Sequence, residues 1–181
     1  MASYITGMAM NPGALPAPHG FGDNLLKYYR GLRDNDTYLS HAVVPPQAAR
    51  NPEFYQRKNI TVPTLRVVAE RDDGVVISGM KMLATAAAYA NEIWIGNVIP
   101  LAPDQKKEAI TCAIPCNAQG LTLWSRKPAA VGLTSEFDSP LAWRYDESDS
   151  MLICDEVKVP WEKVFVHDDA LLSREIGRAH V

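Results

Sequence analysis

The sequence predicts a mainly β fold, a barrel or sandwich of short antiparallel strands preceded by a helical segment. Residues 64–71 and 75–82 are extended runs joined by the turn Asp72-Asp73-Gly74, the clearest β-hairpin pattern in the chain. Gly, Pro and Asn separate the other short apolar runs, which do not alternate with helices. Helical spacing of apolar residues is clear only near the N-terminus.

Residues 1–37 are predicted to be the end of an N-terminal helical domain. Residues 1–10 are small and apolar, and the proline-rich run that follows cannot continue a helix. Asp23 or Asn24 is expected to cap a second helix that runs to about Asp34. Its apolar positions recur at helical spacing, so one face packs against the rest of the protein: Leu25, Leu26, Tyr29 and Leu32.

Residues 38–170 are predicted to form the β domain. Residues 38–44 are extended, and the double proline that follows blocks entry into a helix. Besides this segment and the hairpin, strands are expected at residues 92–97, 109–115, 121–125, 142–145 and 151–159. Pro160, Trp161 and Glu162 are expected to form a turn and the start of a helix.

Both ends of the sequence indicate a fragment. Residues 171–181 are assigned to the start of a further helical domain, but residues 175–181 match the translation of a sequencing adapter and are excluded from the fold prediction. Met1 is interpreted as an internal methionine. We therefore expect the chain to be truncated at both ends and inactive by itself.

Composition excludes several classes of protein. With 181 residues and 47% hydrophobic content, the chain is long enough for one domain with a core. A net charge of −3 provides no basic surface for nucleic acid or for anionic membranes. Neither a signal peptide nor a membrane-spanning run is evident, so the expected location is the cytoplasm. Cys112 and Cys116 are expected to be buried thiols, with no metal site.

Four ordered motifs resemble the 4-hydroxyphenylacetate 3-monooxygenase family, the oxygenase components of two-component phenol monooxygenases that use reduced flavin. They are Tyr38-Leu-Ser-His41, the run of residues 41–50, Lys81-Met-Leu-Ala-Thr85 and the segment 139–166. The resemblance implies the antiparallel β-barrel middle domain of an acyl-CoA-dehydrogenase-like fold. The same fold family includes 4-hydroxybutyryl-CoA dehydratase, a flavin and iron–sulfur enzyme.

The resemblance also implies a binding site for FAD in its reduced form, FADH2. His41 is the expected catalytic residue, which contacts the phenol and lies against the flavin, and Asn97 is a second expected substrate contact. The expected cofactor contacts are His41, Ala42, Val43, Gln47, Arg50, Ala84 and Thr85. From sequence alone, a surface or capping histidine is the better interpretation of His41, and Thr85 is equally compatible with an ordinary strand residue. Arg144, Asp146, Glu147 and Asp149 are interpreted as a structural ion-pair network.

The implied reaction is hydroxylation of a phenol ortho to its hydroxyl by O2, through C4a-hydroperoxyflavin. A separate NAD(P)H-dependent flavin reductase supplies FADH2, and the oxygenase is expected to be a homo-oligomer, a tetramer by resemblance. Two alternatives remain open at this point. One is a dehydratase-like flavin and iron–sulfur enzyme, and the other is a non-catalytic β-barrel binding module.

Overall fold

The computed structural model describes residues 2–15, 20–145 and 148–178, without the side chains of residues 2, 3, 50, 174 and 178. Helix α1 spans Ala2–Met10 and helix α2 spans Phe21–Asp34. The predicted cap of α2 is wrong, because Gly20 is the N-cap residue, in the left-handed conformation (φ 65°). Asn24 lies one turn inside and its Nδ2 donates to the carbonyl oxygens of Trp161, at 2.8 Å, and Val164, at 3.1 Å.

The first sheet contains strands β1, β4, β5 and β8 in that order. Their bounds are Leu39–Ala42, Glu92–Ile95, Ile110–Pro115 and Val164–His167. β1 pairs parallel to β4, whereas the other two pairings are antiparallel. β8 was not predicted from the sequence, and it follows a single 3₁₀ turn at Trp161–Lys163 in place of the expected helix start.

The second sheet has the order β2, β3, β7, β6 and is entirely antiparallel. Its strands span Arg66–Arg71, Gly74–Thr85, Asp149–Pro160 and Leu121–Ser125. The predicted hairpin is confirmed as β2 and β3. β3 and β7 are 12 residues long and form the central pair of this sheet.

The strand-rich, mostly antiparallel fold class is confirmed, with more helix than expected. In the part of the chain that the structure describes, the strands form two four-stranded sheets rather than a closed barrel. The predicted strand at residues 142–145 is wrong, because helix α4 spans Pro140–Arg144. Proline is favourable in the first turn of a helix, and the amide of Tyr145 donates to the carbonyl of Leu141 at 2.7 Å.

Two further helices complete the described chain. α3 spans Pro52–Arg57 and was not predicted, and α5 spans Ala170–Arg178. The Asp169 side chain accepts a hydrogen bond from the amide of Leu172 at 2.8 Å, which caps the start of α5. The predicted domain bounds and the adapter origin of residues 175–181 stay predictions.

An aromatic cluster joins α2 to the first sheet. Trp94 and Phe165 are fully buried and their rings stack at 4.6 Å between centroids. Tyr28 of α2 packs against Phe165 at 5.1 Å, and its hydroxyl donates to a carboxylate oxygen of Glu92 at 2.7 Å. These contacts fix the helical segment on the face of β4 and β8. None of the helices within the described ranges is long and apolar enough to cross a membrane.

Candidate functional site

The structure brings three of the predicted segments together. The hydroxyl of Ser40, on β1, donates to the carbonyl oxygen of Thr85 at the end of β3, at 2.6 Å. The amide of Met82 donates to the carbonyl of Val44 at 2.8 Å, so the segment after β1 also contacts β3. On its other side β1 pairs with β4, with His41 opposite Trp94. Segments about 40 positions apart in sequence thus lie side by side.

His41 is half-buried in the middle of β1. Burial lowers the pKa of its imidazole, because the charged form loses solvation. The ring is therefore neutral at physiological pH, with one nitrogen that donates and one that accepts. Neighbouring Ala42 and Val43 are buried in the core. Their predicted cofactor contacts stay predictions.

Ala84 and Thr85 are the last two residues of β3, rather than following it as predicted. A shift in the pairing of β3 with β7 between Lys81 and Ala84 marks a bulge, where Leu83 has a positive φ of 60°. Ala86, directly after the strand, also has a positive φ, 56°. Positive φ values in residues other than glycine often mark functional sites. The Ala84 side chain is fully buried, whereas Thr85 is half-buried.

Asn97 belongs to a buried polar network. Its Oδ1 accepts a hydrogen bond from Nζ of Lys81 at 2.7 Å, and its Nδ2 donates to Ser173 Oγ at 3.1 Å and to the Glu108 carbonyl at 3.0 Å. Complete burial lowers the pKa of Lys81 to about 7. Sequence reasoning missed Lys81 and Ser173, although a lysine within a buried strand was an available signal. The predicted contact between Asn97 and substrate stays a prediction.

Two of the remaining predicted contacts lie in the segment that follows β1. Gln47 and Arg50 bound a 3₁₀ turn, Gln47–Arg50, and Gln47 is exposed. The Arg50 side chain lies outside the described residues, and both cofactor contacts stay predictions.

In the predicted ion-pair network, Arg144 pairs with Glu136, and Asp146 and Glu147 lie outside the described residues. Nowhere in the described ranges do three or more His, Cys, Asp or Glu side chains form a group that could hold a metal.

Comparison with known proteins identifies the family. The family model for the N-terminal part of 4-hydroxyphenylacetate 3-hydroxylase matches residues 1–166. The chain belongs to this hydroxylase family. The 4-hydroxyphenylacetate 3-monooxygenase oxygenase component of Thermus thermophilus is 37% identical over 146 residues, which cover 81% of this chain and 30% of the relative. The 4-nitrophenol 2-monooxygenase oxygenase component of a Rhodococcus species is 34% identical over 152 residues, which cover 82% and 28%.

Solved structures of the hydroxylase family share the fold. The oxygenase component of 4-hydroxyphenylacetate 3-monooxygenase complexed with FAD superposes with a TM-score of 0.82 and 32% identity, over 97% of this chain and 35% of that one. An archaeal 4-hydroxybutyryl-CoA dehydratase from N. maritimus superposes with a TM-score of 0.75 at 21% identity, over 97% and 34%, a likeness of fold. The chain thus spans about a third of the length of its hydroxylase relatives.

Proposed function

We propose that this chain is part of the oxygenase component of a two-component phenol monooxygenase that binds reduced FAD. The observation that carries the proposal is the hydrogen bond from Ser40 to Thr85, which sets the strand of His41 beside the end of β3. Relatives with 34% and 37% identity are oxygenase components that act on 4-nitrophenol and 4-hydroxyphenylacetate. A phenol is the common feature of these substrates.

The chemistry of the residues where β1 meets the end of β3 fits a flavin. An isoalloxazine ring needs an apolar surface with a few placed polar groups. Leu83 is about half exposed at the bulge and supplies apolar surface. The polar groups are the Thr85 hydroxyl, two residues further along β3, and the His41 imidazole on β1. We assign flavin contacts to Thr85, His41, Ala42, Val43 and Ala84, with Gln47 and Arg50 at the periphery. When bound, reduced FAD supplies the electrons that activate O2.

His41 is assigned to the phenol. In its neutral form the imidazole accepts the phenol proton or a hydrogen bond from it, and a phenolate ring is more nucleophilic at the ortho carbon. Burial of His41 favours this neutral form. One oxygen atom of O2 enters the ring at that carbon and the other leaves as water. We assign Asn97 to a substrate contact, with its side chain held by hydrogen bonds to Lys81 and Ser173.

The proposal includes a separate NAD(P)H-dependent flavin reductase as partner, a homotetrameric assembly and a cytoplasmic location. The dehydratase alternative shares the fold at 21% identity, which is lower than the identity to the hydroxylases. The non-catalytic binding module is less consistent with relatives that are named as monooxygenases. We therefore retain phenol hydroxylation as the proposed activity.

The test uses the complete gene product with a flavin reductase, NADH, FAD and 4-hydroxyphenylacetate. We expect a dihydroxyphenylacetate product by chromatography, and none from phenylacetate, which lacks the hydroxyl that His41 would contact. His41→Ala should lower the rate of product formation at least about 100-fold, a typical contribution of acid–base groups. Failure to hydroxylate any phenol in the presence of reduced FAD would overturn the proposal.

A further inference from the structure

Ser40, the residue before His41, is a buried polar residue that the proposed reaction does not use. It is 3% exposed, and its hydroxyl donates to the carbonyl oxygen of Thr85 at 2.6 Å. Successive side chains of a strand point to opposite faces. Because the Ser40 side chain is directed into the protein toward β3, the half-buried imidazole of His41 lies on the opposite face of β1. The direction of the first side chain therefore sets that of the second.

The two sides of β1 are held in different ways. On one side all four of its residues pair with β4 in a parallel ladder. On the other side lies β3, which belongs to the second sheet, and the two strands form no ladder. They are joined instead by an isolated bridge between Val44 and Met82 and by the Ser40 hydrogen bond. The Ser40 hydroxyl thus makes a contact to β3 that backbone pairing would make in a regular sheet.

The distortion of β3 explains why a side chain makes this contact. Between Met82 and Thr85 the strand is bulged, since Leu83 has a φ of 60° and the pairing with β7 shifts between Lys81 and Ala84. A bulge leaves the ladder locally disrupted. A serine hydroxyl extends beyond the backbone and still reaches the Thr85 carbonyl.

We propose that Ser40 is a positioning residue for His41, because its bond to the Thr85 carbonyl fixes the orientation of β1 and with it the depth at which the imidazole lies. Without this bond the start of β1 is held by β4 alone, and the strand can turn away from β3. The imidazole then becomes more exposed and moves away from the phenol. The catalytic consequence rests on the proposed function, whereas the depth of the imidazole can be measured without it.

The first measurement is the rate at which diethyl pyrocarbonate modifies each histidine of the complete gene product, followed by peptide mass spectrometry. The reagent attacks neutral imidazoles that solvent can reach. Ser40→Ala should raise the rate at His41 by up to about tenfold, the factor that loss of one hydrogen bond gives to a local opening equilibrium. His167 is the internal reference, because its side chain is 10% exposed and lies on β8, at the opposite edge of the first sheet. Its rate should stay at the wild-type value.

Two further variants control for the loss of a buried hydroxyl. Ser40→Thr retains the hydroxyl and should keep the wild-type rate at His41. Ser150→Ala is the matched control, since Ser150 is also 3% exposed and bonds the Ser125 hydroxyl at 2.9 Å, between β7 and β6. It should leave His41 unchanged. If Ser40→Ala does not fold, Ser40→Cys, whose thiol is a weak donor, takes its place under the same criteria.

The second measurement is the rate of 4-hydroxyphenylacetate hydroxylation with the flavin reductase. Ser40→Ala should lower kcat by about tenfold, because a misplaced imidazole contacts the phenol less well. In the His41→Ala background, Ser40→Ala should have no further effect, because the residue that it positions is gone. A further loss of kcat in that background would contradict the assignment.

The modification rates decide the inference independently of activity. An unchanged rate at His41 in folded Ser40→Ala would overturn it. Equal increases at His41 and His167 would also overturn it, because they indicate a general loss of stability. If the wild type hydroxylates no phenol but the rate rises at His41 alone, the proposed function fails while the positioning of His41 by Ser40 stands.

Discussion

Nζ of Lys81 lies 2.7 Å from Oδ1 of Asn97, and both side chains are enclosed by the protein. Lys81 is on β3 and Asn97 follows β4, so this bond joins the two sheets. Ser173 of α5 joins the same network through the Asn97 amide. A lysine is almost never fully buried without a partner, and here that partner is a neutral amide. The network thus connects the two sheets and α5, but it also buries an amine, which lowers the free energy of unfolding when the amine is charged.

The buried amine of Lys81 should make stability depend on pH. Its pKa is about 7 in the folded protein, below the usual value for lysine, so between pH 7 and 8.5 the unfolded chain binds the proton that the folded chain has lost. The contribution to the free energy of unfolding therefore rises with pH, by up to about 1.4 kcal/mol per unit, and is lost as pH falls through 7. Urea unfolding at several pH values measures this slope.

Substitution isolates the contribution of Lys81 from those of other groups. Lys81→Met should remove the rise between pH 7 and 8.5, whereas Met82→Leu, on the same strand, should leave it in place. The thiols also titrate in the unfolded chain, with a pKa of about 8.5, so the quantity to compare is the difference in slope between the wild type and each variant, in which their contribution cancels. An identical slope in the wild type and in Lys81→Met would contradict the assignment.

The three cysteines should differ in reactivity. Cys112 and Cys154 are buried, and burial raises the pKa of both thiols, that of Cys154 to about 12. Cys116 is only partly buried. With a thiol reagent at pH 8, we expect one thiol to react in the native protein and two only on unfolding. Cys116→Ala should abolish the fast reaction, and a fast reaction that persists in this variant would refute the assignment.

Substitution by alanine should change stability in opposite directions at a glycine of strand β3 and at a glycine of helix α2. A Cβ on Gly79 would lie 2.3 Å from the carbonyl oxygen of Thr64, at a φ of 118° that side chains rarely adopt. Gly79→Ala should therefore destabilise the protein by at least about 2 kcal/mol. Gly31, in α2, has open space around it, and Gly31→Ala should stabilise by up to about 1 kcal/mol. Thermal unfolding of the two variants distinguishes these signs.

Asn24 should contribute more to stability than Asn35, an exposed asparagine that directly follows the same helix. Its amide group serves the carbonyls of Trp161 and Val164, so Asn24→Ala leaves two acceptors without that donor and should cost about 1 to 3 kcal/mol. Asn35, which is exposed and bonds the nearby carbonyl of Gly31, is the control. Equal shifts of the urea midpoint in the two variants would argue against the tie between α2 and the β domain.

Sequence predicted the elements whose signals are local. The turn Asp72-Asp73-Gly74 carries its own hairpin chemistry, and β2 and β3 were found there. Residues 142–145 were misassigned because a short apolar run fits a strand or a helix, and Pro140 together with the bond from Tyr145 to Leu141 decides for the helix. The four residues of β8 were missed because their strand character depends on pairing with β5.

The candidate site was predicted by motif, but its hydrogen bonds were not. Residues such as Thr85 and Asp149 are 64 positions apart, and no spacing rule in the sequence connects them. The network of Lys81, Asn97 and Ser173 likewise depends on how two sheets and a helix pack. The residue types show that these side chains are polar. Which groups they bond to can be seen only in the tertiary structure.

The pairing of β3 with β7 has a consequence for synthesis of the protein. β3 ends at Thr85 and its central partner begins only at Asp149, so the middle of the second sheet cannot form until β7 has emerged from the ribosome. Pairing across such long separations in sequence is slow. During this interval β3, with its buried residues Val75, Val76 and Ile77, has only β2 as a sheet neighbour. The nascent chain should therefore depend on chaperones most while residues 86–148 are being synthesised.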